Sequence, residues 1–133
     1  MVQTLEVGAT HTLDVLVTDA NTAAHLAESG ETLPPVFATP FMIAAMERAC
    51  AALLSVALEE GDVSVGAKID VSHVAPSPVG VEILATARFT DREGPLFWFD
   101  VSAEDPGGLI GKGRIARAIL SMDKVKARAE VRR

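Results

Sequence analysis

A single cysteine, Cys50, stands among the 133 residues, which excludes an intrachain disulfide framework and makes a reducing compartment the natural home. No run of lysine and arginine occurs in the body of the chain, and 18 acidic against 12 basic side chains leave a formal charge of −6. Nothing here tracks a phosphate backbone, so nucleic acid is not an expected partner. The opening MVQTLEVGATHTLDV has neither a basic start nor an apolar stretch of signal-peptide length, and a cytoplasmic location is expected. His11, His25 and His73 lack the close pairing of a zinc site, and no metal is predicted. GGLIGKGR does not fit the spacing of a phosphate loop and reads as glycines at the start of a strand. The one long apolar segment, Pro40 to Leu58, carries Glu47 and Arg48 at its centre, where a bilayer penalises both. It reads as a core helix, and no membrane partner is expected.

What is present is enough for one core, since 49% of the residues are hydrophobic. A single domain is expected over residues 1–122, with DKVKARAEVRR, residues 123–133, as a charged, non-periodic, solvated tail. His11, Leu13, Val15 and Val17 alternate with Thr12, Asp14 and Leu16 as a first strand. Residues 18–35 are small and polar with two prolines at the end, the composition of a mobile lid. Thr39-Pro40 supplies a cap hydroxyl and a first-turn proline, predicting a helix to about Glu60. That helix is apolar on nearly every face and is expected to be buried nearly all round.

Beyond Gly61 the period changes to two. Val63, Val65, Ala67, Ile69, Val71 and His73 share one face of a long strand, and Val79, Val81, Ile83, Ala85, Ala87 and Phe89 share one face of the next. These two are expected to pair as a hairpin. Phe97, Phe99 and Val101 mark a third strand after DREG, and DPGG leads to a fourth over about 110–122, whose inward face the pattern leaves ambiguous. The order is β-α-β-β-β-β, an antiparallel α+β architecture. One sheet face covers only part of an all-apolar helix, so a homodimer is expected, with stacking into a tetramer left open.

Three polar groups fall at unexpected places. Glu47 loses hydration among Ala44, Ala45, Met46 and Cys50 unless specific partners restore it. His73 lies on the face of its strand that simple alternation turns toward the helix. Thr39 places a hydroxyl beside the unpaired N–H groups of a helix start, which suits the oxygen of a polarised carbonyl as well as a cap. Cys50, among alanines, reads as a small buried hydrophobe.

The segments VFATPFMIAAMERAC and VGAKIDVSHVAPSPVG resemble the fluoroacetyl-CoA thioesterase-like branch of the hotdog thioesterases, and the likeness spans about Thr10 to Met122. It implies a hotdog fold, a long central helix wrapped by a five-stranded antiparallel sheet, and hydrolysis of an acyl-CoA thioester without a separate cofactor. It implies catalytic roles for Thr39, Glu47 and His73, a backbone N–H from Gly66 on the thioester carbonyl, and an association of Arg117 with CoA. Phe37, Phe41 and the lid are expected to set the length of the acyl pocket. The branch's fluoroacetyl-CoA enzyme has lid phenylalanines that help select the fluorinated group, whereas this chain has no aromatic residue before Phe37. Two other readings compete: a module that binds acyl-CoA without cleaving it, and a hydratase or dehydratase of the same fold.

Overall fold

The computed structural model describes residues 3–133. Strand β1 (Thr10–Leu16) is followed by a 3-10 turn and a short helix α1 (Ala23–Leu26), then the long helix α2 (Thr39–Leu54). Strands β2 (Asp62–His73), β3 (Glu82–Glu93), β4 (Leu96–Asp105) and β5 (Gly108–Ser121) complete an antiparallel sheet, and α3 (Met122–Glu130) closes the chain. The sheet order is β1-β3-β4-β5-β2, with α2 lying across one face. The five strands and the central helix agree with the α+β architecture expected above.

The expected hairpin between β2 and β3 does not form. β2 pairs with β5 at one edge, while β3 pairs with β1 and β4. The segment from Val74 to Val81 carries Pro76 and Pro78 and crosses the end of the sheet rather than turning back. Only β3, β4 and β5 form a meander of consecutive strands.

The sheet meets the helix through Ile83, Ala85, Ala87 and Phe89 of β3 and Phe97, Phe99, Val101 and Ala103 of β4, all buried, as their alternation predicts. On β5 the inward positions, paired with those of β4, are Gly111, Gly113, Ile115 and Arg117. Two glycines and an arginine conceal the hydrophobic period, which is why the sequence leaves that face ambiguous. The glycine at 111 is needed for space, because a Cβ there would lie 2.8 Å from Met42 Cε and 2.9 Å from Ser72 O. Met42 thus seats directly on the sheet floor.

Helix α2 is shorter than expected, ending at Leu54 in a 3-10 turn over Ser55–Ala57. It buries one stripe, Met42, Ala45, Met46, Ala49, Cys50, Leu53 and Leu54, spaced as one face of an α-helix. Ala44 and Arg48 are exposed and Ile43, Ala51 and Ala52 half-buried, so within one chain the helix is not enclosed all round. By length and composition alone Thr39–Ala57 would suit a membrane. Here its buried stripe is the centre of the protein core.

The lid carries structure of its own. Thr22 accepts from His25 N at 3.2 Å, and bridges join Thr22 to Phe37 and Val36 to Pro78. The tail, expected to be non-periodic, forms α3, with the Ser121 side chain capping it by accepting from Lys124 N at 3.1 Å. None of its residues is buried.

Candidate active site

Helix α2 starts where two loops are stitched together. Phe37 N donates to Ser77 O at 2.9 Å and Ala38 N to Asn21 O at 2.9 Å, fixing the first turn beside the segment that leaves β2. Ser77 is itself fully buried and donates to Asp105 Oδ2 at 2.7 Å. This brings Thr39, at the head of the helix, against His73, the last residue of β2, with Thr39 Oγ1 2.7 Å from His73 Nδ1.

Thr39 is not the cap. Ala38 occupies the cap position, Thr39 and Pro40 open the helix, and no side chain caps it. The hydroxyl is engaged by an imidazole instead. Pro40 has no N–H, and Phe41 N and Met42 N both donate to Ala38 O, at 3.0 and 3.1 Å. Among the described residues the Thr39 N–H has no such acceptor.

His73 Nε2 is buried and has no hydrogen-bond partner among the described residues. With Thr39 donating to Nδ1, Nε2 carries the proton and is a donor awaiting an acceptor; in the other tautomer it is a buried base. Either form leaves an unmet bond at the floor of the site. The two residues line an open recess of about 350 Å³ together with Phe37, Ala38, Val36, Pro34 and Ala23 from the lid side and Val74 to Pro76 opposite. A larger recess of about 660 Å³, lined by Leu5, Ala57, Phe89, Phe97 and Ile119 among others, contains none of the predicted site residues.

Glu47 and Arg117 form a second group. Glu47 lies eight residues along α2 from Thr39, about 12 Å of helix rise, and does not line the Thr39–His73 recess. Its Oε1 accepts from Arg117 Nη1 at 3.2 Å, and the side chains are 29% and 11% exposed respectively. Arg117 also donates from Nε to Ser64 Oγ at 3.2 Å and from Nη2 to Ser64 O at 3.0 Å. Gly66 lies beneath: a Cβ on it would overlap Glu47 Oε1.

The placement of Gly66 and Ser64 depends on a bulge that the alternation does not reveal. Gly66 pairs with Arg117 and Lys68 with Ala116, leaving Ala67 as an extra residue. Before the bulge Ser64 and Gly66 face the helix; after it Ile69, Val71 and His73 do, in register with Ile115, Gly113 and Gly111. The single continuous face expected for Val63, Val65 and Ala67 is therefore displaced, although His73 keeps its inward direction. Sequence reasoning misses Ser64 for this reason, since an uninterrupted period puts it on the outer face.

Burial pushes the Cys50 thiol from 9.0 up to about 12; Arg117 nearby draws it down and Glu47 raises it. The thiol stays protonated near neutrality, as a packing group would.

A model of the fluoroacetyl-CoA-specific thioesterase family matches residues 17–123. The fluoroacetyl-CoA thioesterase of Streptantibioticus cattleyicolor is 38% identical over 127 residues, covering 93% of this chain and 91% of that protein. A solved structure of the fluoroacetyl-CoA thioesterase superposes with a TM-score of 0.92 at 34% identity, covering 98% of this chain and 99% of the other. A mutant of that enzyme in complex with fluoroacetate and CoA superposes with a TM-score of 0.85 at 38% identity, covering 90% of this chain and 98% of that one.

Proposed function

The chain belongs to the fluoroacetyl-CoA-specific thioesterase family and is an acyl-CoA thioesterase; on that premise we propose that it hydrolyses a short acyl-CoA with Thr39, His73 and Glu47 as the reacting side chains. The observation that carries this assignment is the 2.7 Å approach of Thr39 Oγ1 to His73 Nδ1. A threonine hydroxyl is a weak nucleophile until a base takes its proton, and an imidazole nitrogen at this distance is such a base.

The thioester carbonyl lies along the flank of α2 between the two groups of residues. Thr39 attacks the carbonyl carbon while its proton passes to His73, and the leaving CoA thiolate recovers a proton from the imidazole. Water then attacks the acyl ester and gives a proton to Glu47, that proton returns to Thr39 Oγ1 as the ester bond breaks, and the Gly66 N–H stabilises the oxyanion. In the alternative order Glu47 activates water directly against the thioester, and Thr39 and His73 position and protonate the leaving group. The lid contributes no aromatic side chain before Phe37, so selection for fluorine over hydrogen is weaker here than in the relative's reaction. Acetyl-CoA and fluoroacetyl-CoA are both substrates on this reading.

The enzyme acts as a homodimer in which a second copy covers the outward flank of α2, where Ile43, Ala44, Ala51 and Ala52 remain at least partly open. Light scattering at micromolar concentration tests this, and a monomeric mass contradicts it. The chemical assignment is tested by thiol release from acetyl-, fluoroacetyl-, branched and aromatic acyl-CoAs, with His73→Ala beside the native protein. A loss of at least ~100-fold in kcat is expected for the variant. Native turnover by His73→Ala would overturn it.

A further inference from the structure

Arg117 holds the position in the fold from which a cation can act on Glu47, and its surroundings leave little of it for a ligand outside. It rises from β5, an interior strand of the sheet, on the face whose β4 neighbour in register is the buried Phe97. Three of the five guanidinium N–H groups are used: Nε and Nη2 on the side chain and carbonyl of Ser64, and Nη1 on Glu47 Oε1. The side chain is only 11% exposed. A planar fork tied at two points to one strand residue is a rigid object, so the third bond fixes a direction for the carboxylate as well as balancing its charge.

Glycine completes the arrangement. Gly66 is Arg117's register partner on β2, and the space where its side chain would be is filled by Glu47 Oε1. The carboxylate is thus held from the side by Arg117 and seated against bare backbone below. The bulge at Ala67 lets both Ser64 and Gly66 face inward here while His73 still faces inward six residues beyond the bulge. One irregularity in β2 serves both groups of polar residues.

We propose that Arg117 is a positioning residue, acting on turnover through Glu47 with Ser64 as its anchor, rather than a ligand for the CoA phosphates. This rests on Glu47 being a reacting group, as assigned above. The two roles separate in steady-state kinetics. Removing a side chain that binds a substrate phosphate raises KM and spares kcat, whereas a misdirected carboxylate lowers kcat and leaves KM nearly unchanged.

The test is a double-mutant cycle on thiol release from acetyl-CoA, with Arg117→Met, Glu47→Gln and the pair together, each confirmed folded by circular dichroism and its melting curve. Arg117→Met is expected to lower kcat by about 10- to 100-fold with KM within about 2-fold, and to cost little further in the Glu47→Gln background. Ser64→Ala, which keeps the charge and removes one anchor, is expected to lower kcat by about 2- to 10-fold, and Arg117→Lys to recover only part of the loss. A rise in KM with native kcat, or full additivity of the two substitutions, overturns the proposal. If Arg117→Met does not fold, Ser64→Ala and Arg117→Lys decide, and native kcat in both overturns it. Native kcat in Glu47→Gln alone would instead refute the role of Glu47, a separate failure.

Discussion

Thr39 Oγ1 and His73 Nδ1 stand 2.7 Å apart although 34 residues separate them, and the hydroxyl makes this bond in place of capping its own helix. A threonine at a helix start normally contributes about 1 kcal/mol as a cap when it occupies that position. Here it sits one residue further in, with Ala38 as the cap, so its side chain is free for chemistry.

That geometry separates the roles of the hydroxyl and the methyl group. Thr39→Ser keeps the oxygen and is expected to retain kcat within about 10-fold, while Thr39→Val keeps the shape and is expected to lose ~100-fold or more. The thermal midpoint of Thr39→Ser should lie close to the native value, whereas Thr39→Val loses the bond to His73 Nδ1, though no helix cap, and should be destabilised by about 1 kcal/mol. Equal activity of the serine and valine variants would show that the hydroxyl is not used.

Gly66→Ala is expected to displace a carboxylate rather than merely crowd a strand. The added methyl would overlap Glu47 Oε1, and Arg117 Nη1 would lie 3.6 Å away. The end of the flexible Glu47 side chain relieves the contact by moving, so stability should change by less than about 1 kcal/mol while kcat falls by about 10- to 100-fold. Urea titration and thiol release on one preparation measure both quantities. Full activity in a folded Gly66→Ala protein would contradict the placement of Glu47 described above.

The Cys50 thiol, raised by burial from 9.0 to about 12, makes an alkaline prediction. In the unfolded chain the thiol ionises near its ordinary value, while in the folded protein it stays neutral to higher pH. Its contribution to stability is therefore full below about pH 9 and is lost as pH rises toward 12. Cys50→Ala should have a flatter fall in urea midpoint between about pH 8 and 10.5 than the native protein. The sequence contains no tyrosine whose phenol would titrate across the same window. Identical pH slopes in the two proteins would show that the thiol is not desolvated as described.

Ser77 is fully buried, donates to Asp105 Oδ2, and accepts Phe37 N through its carbonyl. Ser77→Ala removes the side-chain bond and leaves Asp105 short of a donor, at a cost of about 1–3 kcal/mol. The backbone bond from Phe37 N to Ser77 O survives the substitution, but the loop that carries it loses its side-chain anchor, so kcat should also fall severalfold. Differential scanning calorimetry checks the first part and thiol release the second.

Much of this fold is legible in the sequence because local chemistry and global packing agree. Alternation over Ile83, Ala85, Ala87 and Phe89 and over Phe97, Phe99 and Val101 marks two central strands, and the burial of those side chains follows it. Glu47 and His73 stand out because polar groups interrupt apolar patterns, and both do face partners inside the protein. What is hidden depends on neighbours distant in sequence. The pairing of β2 with β5 joins Asp62 to Ser121 across two intervening strands of sequence, and nothing near either residue announces it. The bulge at Ala67 is equally silent, since alanine suits either face, and Ser64 goes unnoticed with it. Thr39 is recognisable as a helix-start residue, but its bond to His73 requires the Phe37–Ser77 and Ala38–Asn21 hydrogen bonds that set the helix beside the end of β2.

The role of Glu47 is most directly measured by thiol release from acetyl-CoA and fluoroacetyl-CoA with Glu47→Ala at saturating substrate. A drop in kcat of at least ~100-fold, with a native circular dichroism spectrum and little change in KM, is the predicted result. Native kcat in the folded variant would contradict it.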